Sequence, residues 1–93
     1  MIRSFASKEA ERIWQGQRSR KFPGDIQDHA LRKLRQLDAS LSLDDLRNPP
    51  GNRLEALKGN RAGQWSIRIN DQWRICFRWD DGEAREVEIA DYH

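Results

Sequence analysis

The spacing of apolar positions along this chain changes near its middle. Ile26, Ala30, Leu34, Leu37 and Leu41 recur at intervals of four, four, three and four, which predicts an amphipathic helix that begins after Asp25 and turns one stripe to a core. Before it, Ala10, Ile13 and Trp14 share a face of a shorter helix, with Ser7 as its cap and Glu9 and Glu11 at the positive end of its dipole. Ile2 to Phe5 alternates enough for an opening strand, and Gly16 to Gly24 reads as a basic, turn-rich connection containing Arg18, Arg20, Lys21 and Pro23. Asn48-Pro49-Pro50-Gly51-Asn52 cannot continue a helix. Beyond it the period is two: Trp65, Ile67 and Ile69 alternate with Ser66, Arg68 and Asn70, and Trp73, Ile75, Phe77 and Trp79 alternate with Arg74, Cys76 and Arg78. Asp80-Asp81-Gly82 predicts a hairpin, after which Val87 and Ile89 alternate with Glu86 and Glu88; Arg53 to Leu57 is a weaker strand candidate. The expected fold is α+β, an N-terminal strand and two helices packed on one face of a small antiparallel sheet.

Composition narrows the class. A chain of 93 residues is enough for one small domain, residues 1–93, and too short for two adequate cores. It is 37% hydrophobic and 34% charged with a mean hydropathy of −0.98, but four tryptophans and regular patterning argue against disorder. No apolar run approaches the roughly 18 residues of a membrane span, and no signal-peptide core follows Met1, so a cytoplasmic protein without membrane contact is expected. Cys76 has no cysteine to pair with, and alongside only His29 and His93 it forms no metal-ligand spacing, so neither metal nor cofactor is expected.

The formal charge of +2 hides an uneven distribution. From residue 47 to 78 there are seven cations, Arg47, Arg53, Lys58, Arg61, Arg68, Arg74 and Arg78, against the acids Glu55 and Asp71. Thirteen of the seventeen cations are arginine, whose planar fork of donors suits phosphate better than an ammonium does. A nucleic-acid surface and a solvated basic face both fit that balance.

Three features carry candidate chemistry. Matching the apolar faces of the first hairpin requires Asn70-Asp71-Gln72 as its loop, which sets Arg68 directly opposite Arg74. Two opposed like charges destabilise a sheet by a fraction of a kcal/mol, unless a phosphate or carboxylates such as Glu86 or Glu88 neutralise them. Lys58-Gly59-Asn60-Arg61-Ala62-Gly63 joins likely strands with two glycines and two cations, a loop whose amides could approach an anion, although it lacks the spacing of a nucleotide-binding P-loop. Asp91-Tyr92-His93 offers groups that move or position protons, with Tyr92 on the Arg68/Arg74 side by alternation. Since RNA brings its own nucleophile in the 2′-hydroxyl, a proton acceptor, a proton donor and cations are the full set of ingredients that a metal-free ribonuclease needs. Cys76 reads as a small strand residue, and His29 as a solvated one on the outer side of the second helix with Arg32 and Arg35.

The run from Asn48 to Trp79, followed by Val87-Glu-Ile-Ala-Asp-Tyr-His93, resembles the HigB toxins of the RelE/ParE superfamily over essentially the whole chain. That resemblance implies a RelE-like fold and a ribosome-dependent mRNA endonuclease that inhibits translation by cutting messages in the 30S decoding site without a metal. It also implies a HigA-type helix-turn-helix antitoxin, through which alone the toxin meets operator DNA. Carried onto this sequence, Arg68 and Arg74 become phosphate-facing cations, Lys58 a further cation, and Asp91, Tyr92 and His93 the terminal catalytic group. Arg53, Arg61 and Arg78 join Lys58 as RNA-binding candidates. Where some HigB toxins carry a histidine three residues before that lysine, this chain has Glu55, so that either this carboxylate acts as the base or proton transfer shifts to Tyr92 and His93. ParE-like relatives on the same fold inhibit DNA gyrase instead and cut no RNA, which makes gyrase inhibition the alternative; a small RNA-binding module without catalysis is a third reading.

Overall fold

The computed structural model describes residues 1–91. Its sheet is a meander of four antiparallel strands in the order β1 (Glu55–Ala56), β2 (Trp65–Arg68), β3 (Trp73–Asp80) and β4 (Glu83–Asp91). Helices α1 (Lys8–Trp14) and α2 (Gly24–Ala39) lie on one side of it. Ile67, Ile75, Phe77 and Val87 from the sheet meet Ala10, Ile13, Ala30, Leu34 and Leu37 from the helices, all at most 2% exposed. Alternation makes this two-layer core possible, because every second strand residue is apolar and turned to the helices. Phe22 packs edge-on against Trp73 at 5.4 Å between ring centroids, closing the core beside the 16–24 connection. Among the described residues no helix is long and apolar enough to cross a membrane.

Local chemistry explains most boundaries. The Ser7 side chain accepts from the Ala10 amide and starts α1. α2 begins one residue before Asp25, with Pro23 setting the entry, and ends at Ala39. Ser40 takes an extended conformation there, so Leu41 leaves the helical stripe and is 85% exposed, contrary to the sequence pattern. Leu46 fills the place instead, from a single 3-10 turn over Leu43–Arg47 that the capping box Ser42/Asp45 initiates. The 16–24 connection is ordered by Gln27, buried on α2, whose side chain accepts from the Ser19 amide and donates to the carbonyls of Ser19 and Phe22.

The opening strand is reduced to two parallel bridges onto β4, Ile2 with Ala84 and Phe5 with Val87. Ala84 and Val87 are both fully buried though three residues apart, which strict alternation forbids. The extra residue is absorbed at Glu86, which has φ of 52° and lies in the register shift between Cys76 and Arg78. The β3–β4 hairpin turns on Asp81 and Gly82, both at positive φ (53° and 78°), the combination that matches strand twist in a two-residue turn.

Gly63 is held to glycine by its φ of +90°, and a Cβ built there would stand 2.8 Å from a terminal guanidinium nitrogen of Arg78, the end of a flexible side chain that must shift. Gly16 has a similar φ of +82° with open space around it. Gly63→Ala should therefore cost more than Gly16→Ala, which bears the backbone strain of about 1 kcal/mol alone. Urea midpoints at equal m-value check this, and equal losses would show that the Arg78 side chain moves aside freely.

Candidate functional site

The sheet face away from the helices carries the polar residues. Directly paired positions form a row across all four strands, Glu55 to Ser66 to Cys76 to Glu88. The neighbouring row is Arg68 opposite Arg74 opposite Ala90, the pairing the hairpin loop predicts. A carboxylate thus stands at each end of the first row, and each takes an arginine: Arg74 reaches Glu55 at 3.0 Å and Arg61 reaches Glu88 at 2.5 Å.

The like-charge conflict between Arg68 and Arg74 is resolved by different carboxylates from the Glu86 and Glu88 considered from the sequence. Arg74 is only 8% exposed; it donates through Nε to Ser66 Oγ at 2.8 Å and through a terminal nitrogen to the Arg53 carbonyl at 2.6 Å, besides its pair with Glu55. Arg53 can present that carbonyl because it sits in left-handed backbone, φ 45° and ψ 58°, after the turn Pro50–Asn52. Arg68 stays about one-third exposed and pairs with Asp71 of the hairpin loop. One member of the pair is thus fixed inside the fold and the other is held at the surface.

The remaining candidates divide the same way. Arg78 is exposed and pairs with Glu86 at 2.6 Å, while Arg61 also donates to Gln64. Lys58 and Arg53 are exposed, and neither has an ion-pair partner among the described residues. Of the seven cations between residues 47 and 78, the other five each hold a carboxylate, three of these carboxylates coming from Asp44, Glu86 and Glu88 outside that segment. The loop from Lys58 to Gly63 closes on itself in a 3-10 turn, so the amides of Arg61, Ala62 and Gln64 bond to carbonyls of the same loop rather than opening toward an anion. Asp91 is opposite Trp73, on the helix side of the pleat, and accepts from Gln72 at 3.2 Å. Tyr92 and His93 lie outside the described residues. Cys76 is fully buried; burial pushes its thiol above the ordinary 9.0, with Arg61 and Arg74 pulling it down and Glu88 adding to the rise, so it remains a protonated strand residue. Among the described residues, no group of His, Cys, Asp and Glu could hold a metal ion.

Three residues of this region escape sequence reasoning. Ser66 reads as an ordinary polar strand position, yet it anchors Arg74. Asn52, fully buried, donates to the carbonyls of Leu46 and Asn48 and accepts from Lys33, tying the 48–52 segment to α2. His29 is half-buried rather than solvated, and its pKa falls below 6.5 through burial, then Lys33, Arg32 and Arg68.

Residues 3–93 match the family described as RelE-like toxin of type II toxin-antitoxin system HigB. The chain belongs to the HigB-like toxins. It is 45% identical to Toxin HigB-1 of Vibrio cholerae over 85 residues, 90% of each chain, and 31% identical to Endoribonuclease HigB of Proteus vulgaris over the full length of both. Its fold is similar to that of the YoeB–YefM complex from Staphylococcus aureus, with a TM-score of 0.62 at 21% identity, covering 100% of this chain and 98% of the other. It is also similar to the YoeB/ParE toxin from Agrobacterium tumefaciens, with a TM-score of 0.55 at 17% identity, covering 99% and 100%. As a type II toxin, this HigB-like chain has an antitoxin partner.

The burial of Arg74 reverses the stability expected from like-charge repulsion alone. Arg74→Ala should destabilise the toxin by about 2 kcal/mol, because Ser66 Oγ and the Arg53 carbonyl lose their donor, whereas Arg68→Ala should stay within about 0.5 kcal/mol. Denaturant titration of both variants decides it, and an Arg74→Ala protein as stable as wild type would mean the network contributes nothing. His29 binds its proton more weakly folded than unfolded, so its contribution to stability is whole above about pH 6.5 and is lost as pH falls through the window below that value. Titration of the His29 ring by NMR should give a pKa below 6.5 that rises in Arg68→Ala.

Proposed function

We propose that this HigB-like toxin cuts messenger RNA on the ribosome, with the 2′-hydroxyl of the message as nucleophile and no metal ion. The observation that carries the reading is the half-exposed carboxylate of Glu55, held 3.0 Å from a buried guanidinium and one row from Arg68. Its kinship with a relative named an endoribonuclease adds support. Glu55 takes the 2′-hydroxyl proton as the oxygen attacks phosphorus, and Arg74 keeps the carboxylate aimed. Arg68 stabilises the charge that grows on the phosphate oxygens, exchanging Asp71 for the substrate. As the bond to the 5′-oxygen breaks, Tyr92 or His93 returns a proton to it, leaving a 2′,3′-cyclic phosphate and a 5′-hydroxyl; Asp91, on the helix side of the pleat, takes no part in that transfer.

Lys58 and Arg53 meet neighbouring phosphates directly, and Arg61 and Arg78 do so by releasing Glu88 and Glu86. So few contacts bind free RNA weakly at physiological salt, and ribosomal RNA in the 30S decoding site supplies the rest. The partner is a HigA-type antitoxin whose helix-turn-helix domain brings the pair to operator DNA, and toxin and antitoxin work in the cytoplasm.

On ribosomes programmed with a reporter message, Glu55→Gln should lower the single-turnover rate by about 10²–10⁴-fold and Arg68→Ala by about 10²–10³-fold, with EDTA without effect. Products ending in a 5′-phosphate, or an intact message alongside poisoned gyrase, would overturn the assignment.

A further inference from the structure

The segment that leads into Glu55 forms a cleft of its own. Arg47, Pro50, Arg53 and Leu54 line a space of about 280 Å³ that opens to solvent. That is room for one nucleobase and too little for a strand. Its walls are two apolar side chains and two guanidiniums. Arg53 has no ion-pair partner among the described residues, and Arg47 holds Asp44 in a pair so exposed, 64% and 84%, that it contributes little and exchanges readily. The cleft is also rigidly linked to the site, since the Arg53 carbonyl accepts from Arg74, which in turn holds Glu55.

We infer that this cleft receives one unpaired base of the RNA substrate next to the scissile phosphate, a step that rests on the function proposed above. An extruded base is recognised by stacking on flat apolar or guanidinium surfaces, with cations nearby for its phosphates, and that is the composition of these walls. The left-handed backbone at Arg53 turns its carbonyl inward to Arg74, so that strained residue serves both the base cleft and the catalytic carboxylate. The cleft thereby sets where along a message the 2′-hydroxyl reaches Glu55.

The test crosses two changes on programmed ribosomes: single abasic nucleotides placed one at a time around the cut, and Arg47→Ala in the toxin, with thermal unfolding to confirm its fold. In wild type, an abasic nucleotide at one position should raise the half-saturating toxin concentration about 10-fold, with little effect at the others. Arg47→Ala should raise it on the intact message and remove most of the further penalty at that same position. Equal abasic penalties in wild type and variant, or none at any position, would overturn the inference while leaving the nuclease intact. Loss of antitoxin binding by Arg47→Ala with unchanged dependence on the base would overturn it too, and assign the cleft to the protein partner. Failure of the wild type to cut any message would bring down the proposed function itself, and this inference with it.

Discussion

A guanidinium inside an 11.0 kDa protein costs several kcal/mol to desolvate, and for Arg74 that cost is offset by acceptors from three different strands and turns. Ser66 comes from β2, Glu55 from β1, and the Arg53 carbonyl from the turn before β1. β1 has only two residues paired to β2, too few to fix an edge strand by ladder bonds. The arginine therefore holds the edge of the sheet as much as the edge holds the arginine. Without it the polar face would lose its border, and Glu55 its orientation.

Around that fixed point the basic surplus of the central segment is balanced almost residue by residue. Glu86 and Glu88 arrive from β4, Asp44 from the turn after α2, and each covers a cation that sequence order alone leaves open. The exposed pairs of Arg47 and Arg78 add little to stability, and their carboxylates can be displaced by phosphate, which a guanidinium binds strongly. On the proposed reading, a face kept partly neutral in the free protein stays folded without its RNA and avoids the self-repulsion of an open cationic cluster. The two rows of the face divide the work: the row of Glu55 and Glu88 neutralises, and the row of Arg68 and Arg74 carries the charge.

What the sequence reveals follows from the range of the forces involved. Period and turn chemistry are local, so the helical seam through Leu37, the Asp81-Gly82 turn and the opposition of Arg68 and Arg74 are legible from residue order. Leu41 misleads because helix termination at Ser40 depends on the 3-10 turn that follows, not on the stripe itself. The bulge at Glu86 leaves no mark in an alternating run and shows only in the burial of Ala84 and Val87 together. Pairing between distant polar groups is the least legible. Nothing in the order of residues joins Arg53 to Arg74 or Asn52 to Lys33, and the depressed His29 pKa comes first from burial that the helical pattern does not show.

The unequal burial of the two opposed arginines governs how each can be read experimentally. Removing Arg68 takes a charge from the surface and leaves the backbone bonds around it in place, so a loss of turnover there reports on charge stabilisation. Removing Arg74 frees Glu55, Ser66 and the Arg53 carbonyl together, so its effect mixes a missing charge with a misplaced carboxylate. Lysine at position 74 would keep the charge but could not donate in three directions from one plane, as the guanidinium does to Ser66, Arg53 and Glu55. Arg74 therefore belongs to the architecture of the sheet edge, and in the proposed reaction its influence passes through Glu55, whereas Arg68, paired with the exposed Asp71, is the arginine proposed to meet the phosphate.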